Sequence, residues 1–213
     1  MPNWVYNSLV IEGDADVLAR IAQQLATPWQ TQHLDWKTNT IKSEMVEQPL
    51  SYYNIIKPTN LDEYYDKPNG TQDHPDHWYQ WNCRNWGAKW DASSAERHET
   101  EDGSLCYTFE SPWGIPNQAM LTLSQQYPTV TLELEYEEET GWGGCIVYTN
   151  GNEETSEEYD NKCRDCSALN TVDCCEECGN ELCSKCNNIS EADKDALGKC
   201  EEHKHLLEEV KNA

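Results

Sequence analysis

Residues 163–186 read CRDCSALNTVDCCEECGNELCSKC and hold seven of the chain's eleven cysteines. Thiols two residues apart can bridge as disulfides, exchange electrons or hold a metal ion. The spacing favours metal. Cys163/Cys166, Cys175/Cys178, Cys183/Cys186 and Cys200/His203 are four pairs, each with two residues between its members. Such a turn sets two ligands on one side of a tight loop, which is half of a tetrahedral zinc site. Four halves predict two structural zinc ions. Every coordination position is filled, so the expected role is a staple rather than a reaction centre. The metal would supply folding free energy that a tail of few aliphatic residues lacks.

Only four residues separate Cys178 from Cys183, and this spacing resembles cross-braced modules of the RING, FYVE and B-box kind. The resemblance implies that alternate pairs share an ion. Site one would be Cys163, Cys166, Cys183 and Cys186. Site two would be Cys175, Cys178, Cys200 and His203. Sequential pairing, first pair with second and third with fourth, is the alternative. His205 is a substitute for His203, and Cys174 for Cys175. Leu206, Leu207 and Val210 suit one face of a helix carrying Cys200 and His203. Cys83, Cys106 and Cys145 are scattered and are expected to be small buried side chains. Ubiquitin chemistry does not follow from the likeness.

A second concentration of chemistry is aromatic. Trp78, Trp81, Trp86 and Trp90 lie close together, mixed with Asn82, Arg84, Asn85, Lys89 and Asp91. Stacked indoles make a satellite core, and Trp and Arg also dominate binding hot spots. These four tryptophans are therefore candidates for a partner-binding surface. His74 and His77 flank them without metal-ligand spacing and are expected to be polar surface residues. Glu133, Glu135 and Glu137 alternate with apolar residues and would line an outward acidic face. Glu137, Glu138 and Glu139 read as solvation at a strand end, not as a paired acid and base. No phosphate loop, HExxH or Ser-His-Asp arrangement is present, so no enzyme activity is expected. Pro2, as an amino-terminal proline after loss of Met1, and Glu138 are what an enzymatic reading would rest on.

Charge narrows the partners. The 213-residue chain has 39 acids against 15 Lys and Arg, a net charge of −24. Residues 1–160 hold 27 acids and 8 bases, and residues 161–213 hold 12 and 7. Nucleic-acid binding neutralises phosphates with Lys and Arg, so direct contact with DNA or RNA is not expected. A nucleic-acid binder acting through the zinc module is the alternative reading. An acidic face suits a protein partner with a basic surface, with mimicry of nucleic acid as a special case. No early apolar run is long enough for a signal peptide or a membrane span, so a cytoplasmic protein is expected, where disulfides are rare.

The elements that must position these residues follow from periodicity. Residues 4–13 read as a strand. Asp14 precedes a helix whose Val17, Leu18, Ile21, Ala22 and Leu25 share one face. Residues 27–94 show no clear period, though their aromatics argue against disorder. A hairpin is predicted over 96–109, turning at Asp102-Gly103. Pro116 opens a helix bearing Ala119, Met120, Leu123 and Tyr127, which Pro128 stops. The cleanest strand is 129–137, and a weaker one covers 145–149. Residues 150–161 are polar and acidic and read as a linker. The order β–α–insertion–β–β–α–β is that of a ferredoxin-like split βαβ domain, an α+β fold. The expected organisation is a domain over 1–150 with an insertion at about 27–94, a linker over 151–161 and a zinc module over 162–213.

The stretches MPNWVYNSLVIEG, NIIKPTNLDEYY, HPDHWYQWNCRNWGAKWDA, FESPWGIP and LELEYEEETGWGG resemble the YubB-like family of phage and plasmid proteins. That resemblance covers residues 1–150 and implies a ferredoxin-like domain and a mobile-element setting, with no catalytic residue to carry over. The function expected is a non-enzymatic interaction protein that binds, and inhibits, a host protein of defence or nucleic-acid handling.

Overall fold

The computed structural model of the chain describes residues 3–68, 73–160, 172–174 and 181–183. Its elements are β1 (Trp4–Glu12), α1 (Ala15–Leu25), β2 (Trp29–Asp35), β3 (Thr40–Val46), a 3-10 turn at Tyr52–Asn54, α2 (Leu61–Tyr64), α3 (Trp78–Asn85), β4 (Ser93–His98), β5 (Leu105–Pro112), α4 (Asn117–Gln126), β6 (Thr131–Glu138), β7 (Gly143–Thr149), β8 (Asn152–Tyr159), β9 (Val172–Cys174) and β10 (Glu181–Cys183). The chain divides into two compact units, Met1–Glu139 with Gly144–Glu157, and Thr140–Gly143 with Glu158–Ala213.

Among the described residues, one sheet has six strands in the order β4-β5-β1-β6-β7-β8. β1 pairs antiparallel with β5 and with β6, and β4 pairs antiparallel with β5. Strands β1 and β4 thus run parallel with β5 between them, which is the split βαβ arrangement predicted from the order of elements. The period-two patterning decides which face is covered. Leu105, Tyr107 and Phe109 of β5 and Leu132, Leu134 and Tyr136 of β6 are buried, while Glu133 and Glu135 are exposed. One face packs and the other meets water. On the covered face lie Leu18, Ile21 and Leu25 of α1 and Met120 and Leu123 of α4, all buried. Each is worth roughly 1.5–3 kcal/mol of burial. Asp14 is the N-cap of α1 by position, its carbonyl accepting from the Val17 and Leu18 amides, but its side chain makes no capping bond.

Residues 27–94 are more regular than their composition predicts. β2 and β3 form a separate two-stranded antiparallel sheet. Its side chains are mostly exposed, so no alternation of apolar and polar residues marks it in the sequence. Cross-strand polar bonding holds it instead. Lys42 Nζ lies 2.6 Å from Asp35 Oδ2, and Asp35 Oδ1 accepts from the Lys37 amide at 2.9 Å. These bonds hold the Asp35 carboxyl at about 2, below the usual carboxylate range. α3 ends where Gly87 takes φ +86, a conformation that glycine adopts without strain. A Cβ there would lie 2.9 Å from the Asn117 amide nitrogen, at the start of α4. The absence of a side chain lets the Trp-rich segment lie against α4, with the Ala119 amide donating to the Trp86 carbonyl at 3.2 Å.

Residues 152–159 correct the sequence reading. The acidic stretch expected to be a linker is β8, at the end of the six-stranded sheet. Charged side chains are a common device for keeping a sheet edge from pairing with other chains, so the composition suits an outer strand as well as a linker. In the second unit, β9 and β10 pair antiparallel, with Cys174 opposite Glu181 and Cys183 opposite Val172.

Candidate functional site

The insertion is anchored to the sheet through residues 51–56. The Asn54 side-chain Nδ2 donates to the Leu25 and Thr27 carbonyls at 2.9 and 2.8 Å, satisfying carbonyls at the end of α1. Gln24 Nε2 donates to the Asn54 carbonyl at 2.9 Å and Gln126 Nε2 to the Ile55 carbonyl at 3.0 Å. Tyr52 is fully buried, edge-on to Phe109 of β5 and to Trp86, with ring centroids 6.0 Å apart in each case. Asp91 fixes the segment from the other side. Its Oδ1 accepts from the Tyr52 amide at 2.6 Å and the Ala92 amide at 2.9 Å, and its Oδ2 accepts from the Ser51 hydroxyl. Ser51 Oγ in turn accepts from Trp29 Nε1 at 3.0 Å. Burial pushes the Asp91 carboxyl up to about 6 despite these donors.

Around this anchor the aromatics form a cavity of about 560 Å³. Trp4, Trp29, Trp78, Trp86 and Trp90 contribute to its walls, together with Tyr64 and Tyr65. Trp29 stacks on Tyr53 at 3.9 Å with planes 9° apart, and Trp86 Nε1 donates to the Ile56 carbonyl at 3.0 Å. Tyr64 donates to Asn82 Oδ1 at 2.8 Å, and Asn82 Nδ2 to the Lys89 carbonyl at 2.9 Å, which ties α2, α3 and the following loop together. Two carboxylates, Asp66 and Asp91, reach the cavity, and among the described residues neither Lys nor Arg lines it. Asp66 Oδ1 lies 2.8 Å from Nε2 of the buried His77. Gln48 also lines the cavity, and its Nε2 is buried without a hydrogen-bond partner.

Beside the cavity is an exposed aromatic cluster built on one cation. Lys89 Nζ lies 5.1, 4.7 and 4.4 Å from the ring centroids of Tyr79, Trp90 and Trp113. These rings keep 45%, 38% and 50% of their surface in water. Trp113 has φ +62, which is uncommon for a bulky residue and costs of order 1–3 kcal/mol. Its setting is over-determined. Its amide donates to the Asn3 carbonyl at 2.8 Å, Ser111 Oγ donates to the Gly114 carbonyl at 2.7 Å, and the buried Asn7 of β1 donates to Ser111 Oγ at 2.9 Å. The central strand thus carries a polar side chain inward to hold the turn that displays Trp113.

The residues singled out in the sequence fall into separate places. Trp78, Trp86 and Trp90 reach the cavity, and Trp90 also faces water. Trp81 is buried edge-on to Tyr64 and Trp86, at centroid distances of 5.5 and 5.6 Å, so it supports the cavity from behind and presents nothing to a partner. Glu133, Glu135 and Glu137 lie opposite Val10, Ser8 and Tyr6 of β1, on the uncovered face of the sheet. Trp86 reaches the covered face through Tyr52 and Phe109, whereas Trp4 alternates with the buried Val5 and so shares the other face of β1 with Tyr6, opposite Glu137. Glu138 is buried rather than solvating a strand end. His77 is buried as the N-cap of α3, not a surface residue, because Asp66 partners its ring. Cys83 is exposed on α3, and Cys106 and Cys145 are half-buried, so none is the buried thiol expected. The residues expected to bind zinc, Cys163, Cys166, Cys175, Cys178, Cys186, Cys200 and His203, lie outside the described residues, and of Cys183 only the backbone is described. Among the described residues no group of His, Cys, Asp and Glu is arranged to hold a metal ion. Trp4, Trp29, Tyr64, Tyr65, Asp66 and Trp113 were not evident as site residues, because they come from separate segments that only the fold brings together.

A family model described as the ferredoxin-like domain in Api92-like protein matches residues 86–178. The match runs through β4–β8 and β9, so the strand read as a linker lies inside it. The crystal structure of a protein api92 from Yersinia pseudotuberculosis, of the DUF1281 family model, superposes with a TM-score of 0.53 at 13% identity, covering 75% of this chain and 98% of that one. At that identity the likeness shows the fold alone. No curated protein matches the sequence. No described helix is long and apolar enough to cross a membrane.

Proposed function

We propose that this is a non-enzymatic interaction protein that binds a partner protein through the aromatic face of its insertion. The observation that carries the reading is the cluster of Tyr79, Trp90 and Trp113 around Lys89. Three large aromatic rings stay in water, and one is held in an unfavourable backbone conformation. Exposed aromatic patches mark interaction sites, and strain is kept where a function needs it. The partner expected is a protein with a basic surface, drawn by the net charge of −24. The resemblance to phage and plasmid proteins suggests a host protein of defence or nucleic-acid handling, which binding would inhibit. Two zinc ions, held by the cysteine pairs and His203, would staple the C-terminal module. Affinity capture from host cells at low salt, with wild type beside Trp113→Ala, tests the proposal. A partner retained by wild type and lost from the variant is the expected result. No specific capture by wild type, or equal capture by both, would sink it.

A further inference from the structure

The cavity differs in chemistry from the patch beside it. Its walls include five tryptophans and two tyrosines, its titratable lining groups include Asp66, Asp91 and His33, and among the described residues no Lys or Arg lines it. A cavity lined by Lys or Arg would take phosphate or carboxylate; this one repels both. Asp91 is committed, accepting from Tyr52, Ala92 and Ser51. Asp66 uses Oδ1 for His77, which leaves Oδ2 as an acceptor for a ligand. Aromatic faces attract a cation over their centres by roughly 0.5–2 kcal/mol, more when water is excluded. The molecule itself shows that Trp90 takes one, since Lys89 Nζ sits 4.7 Å from its centroid.

We propose that this cavity seats the guanidinium of an arginine side chain presented by the partner protein, with the tryptophans as stacking walls and Asp66 as the charge partner. A guanidinium is planar, stacks on indole and is more weakly hydrated than an ammonium, so it costs less to bring into an aromatic site. The inference rests on the partner-protein reading above and names what that partner offers.

The test is calorimetric titration of the full chain with N-acetyl-arginine amide and with N-acetyl-citrulline amide, its uncharged counterpart of the same shape. Saturable binding of the arginine amide is expected, with the citrulline amide at least about tenfold weaker, the value of one charge-assisted hydrogen bond. Asp66→Asn is expected to weaken the arginine amide about tenfold. Trp90→Leu, at a half-exposed site that should tolerate it, is expected to do the same. Trp36→Ala, far exposed and outside the cavity lining, should leave it unchanged, and thermal melts check that each variant is folded. Equal affinity for the citrulline amide, or no saturation by the arginine amide, would overturn the proposal. Two further outcomes separate it from the reading it rests on. If a partner is captured equally by wild type, Asp66→Asn and Trp90→Leu, the partner reading stands and the arginine site falls. If the arginine amide binds as expected but no protein is captured, the partner reading falls, and the cavity is a site for a free guanidinium compound.

Discussion

Replacing Asp91 with asparagine removes a carboxylate that holds the insertion together at a cost in charge burial. In the folded protein its carboxyl titrates at about 6, against 3.8 for the ordinary group. Burial is the main cause; the bonds from Ser51, Tyr52 and Ala92 act the other way. The folded state therefore binds the proton more tightly than the unfolded chain does. Stability from this group is fully present below the unfolded value near 4 and is lost as pH rises through 6. A difference of about 2 pH units corresponds to ~3 kcal/mol, most of it lost between pH 4 and 7. Asparagine keeps an oxygen for the Tyr52 and Ala92 amides. Its Nδ2 replaces Oδ2 beside the Ser51 hydroxyl, a change that is independent of pH over this range. Urea unfolding of both proteins at half-unit steps from pH 4 to 7.5 should give a difference curve rising in favour of Asp91→Asn by about 2–3 kcal/mol. Shifts of exposed carboxylates such as Asp35, and relief of the net negative charge at low pH, are common to both proteins and cancel. A flat difference, or one of the opposite sign, would refute the account of Asp91 as a buried anion.

Three further outcomes follow from local geometry. Trp113→Gly should relieve the left-handed backbone by about 1 kcal/mol while losing the contacts to Lys89 and Trp90, so its melting temperature should stay near wild type while partner capture is lost. Asn54→Ala leaves the Leu25 and Thr27 carbonyls without their side-chain donor and should cost about 2–3 kcal/mol in chemical unfolding. Metal analysis should find two zinc ions per chain, with one lost in Cys183→Ser; wild type purified free of zinc would remove the proposed staple.

What was legible in the sequence was what repeats at a fixed period. β5 and β6 alternate apolar and polar residues because one face of the sheet is covered and the other is not. α1 shows its stripe because Leu18, Ile21, Ala22 and Leu25 all turn to that sheet. These segments, taken in order, are enough to derive the split βαβ frame. β2 and β3 escaped because most of their side chains are exposed and the covered ones, Trp29 and Leu34, do not fall at a period of two. β8 escaped because an outer strand rich in carboxylates has the composition of a linker. Asn7 and Ser111 gave no signal either: their importance comes from a bond between residues 104 positions apart.

The site follows a different logic from the frame. Trp4 and Trp113 come from the ends of β1 and β5, Trp29 and Gln48 from the isolated ribbon and its exit, Asp66 and Trp78 from the helical turns, and Trp90 and Asp91 from the approach to β4. The stretch from Trp78 to Ser93 holds seven of the lining residues, and the others come from separate segments earlier in the chain. The tryptophan spacing pointed to the right region, but it weighted all four rings alike, whereas Trp81 is structural and Trp90 is displayed. The distinction depends on where α3 ends. Gly87 stops the helix just after Trp86, so Trp81 and Trp86 turn inward with the helix while Trp90 emerges on the far side of the turn. A substitution that extended α3 past Gly87 would carry Lys89 and Trp90 off the patch together. The proposed recognition surface is therefore set less by how many tryptophans the insertion holds than by the single residue that lets the chain turn between them.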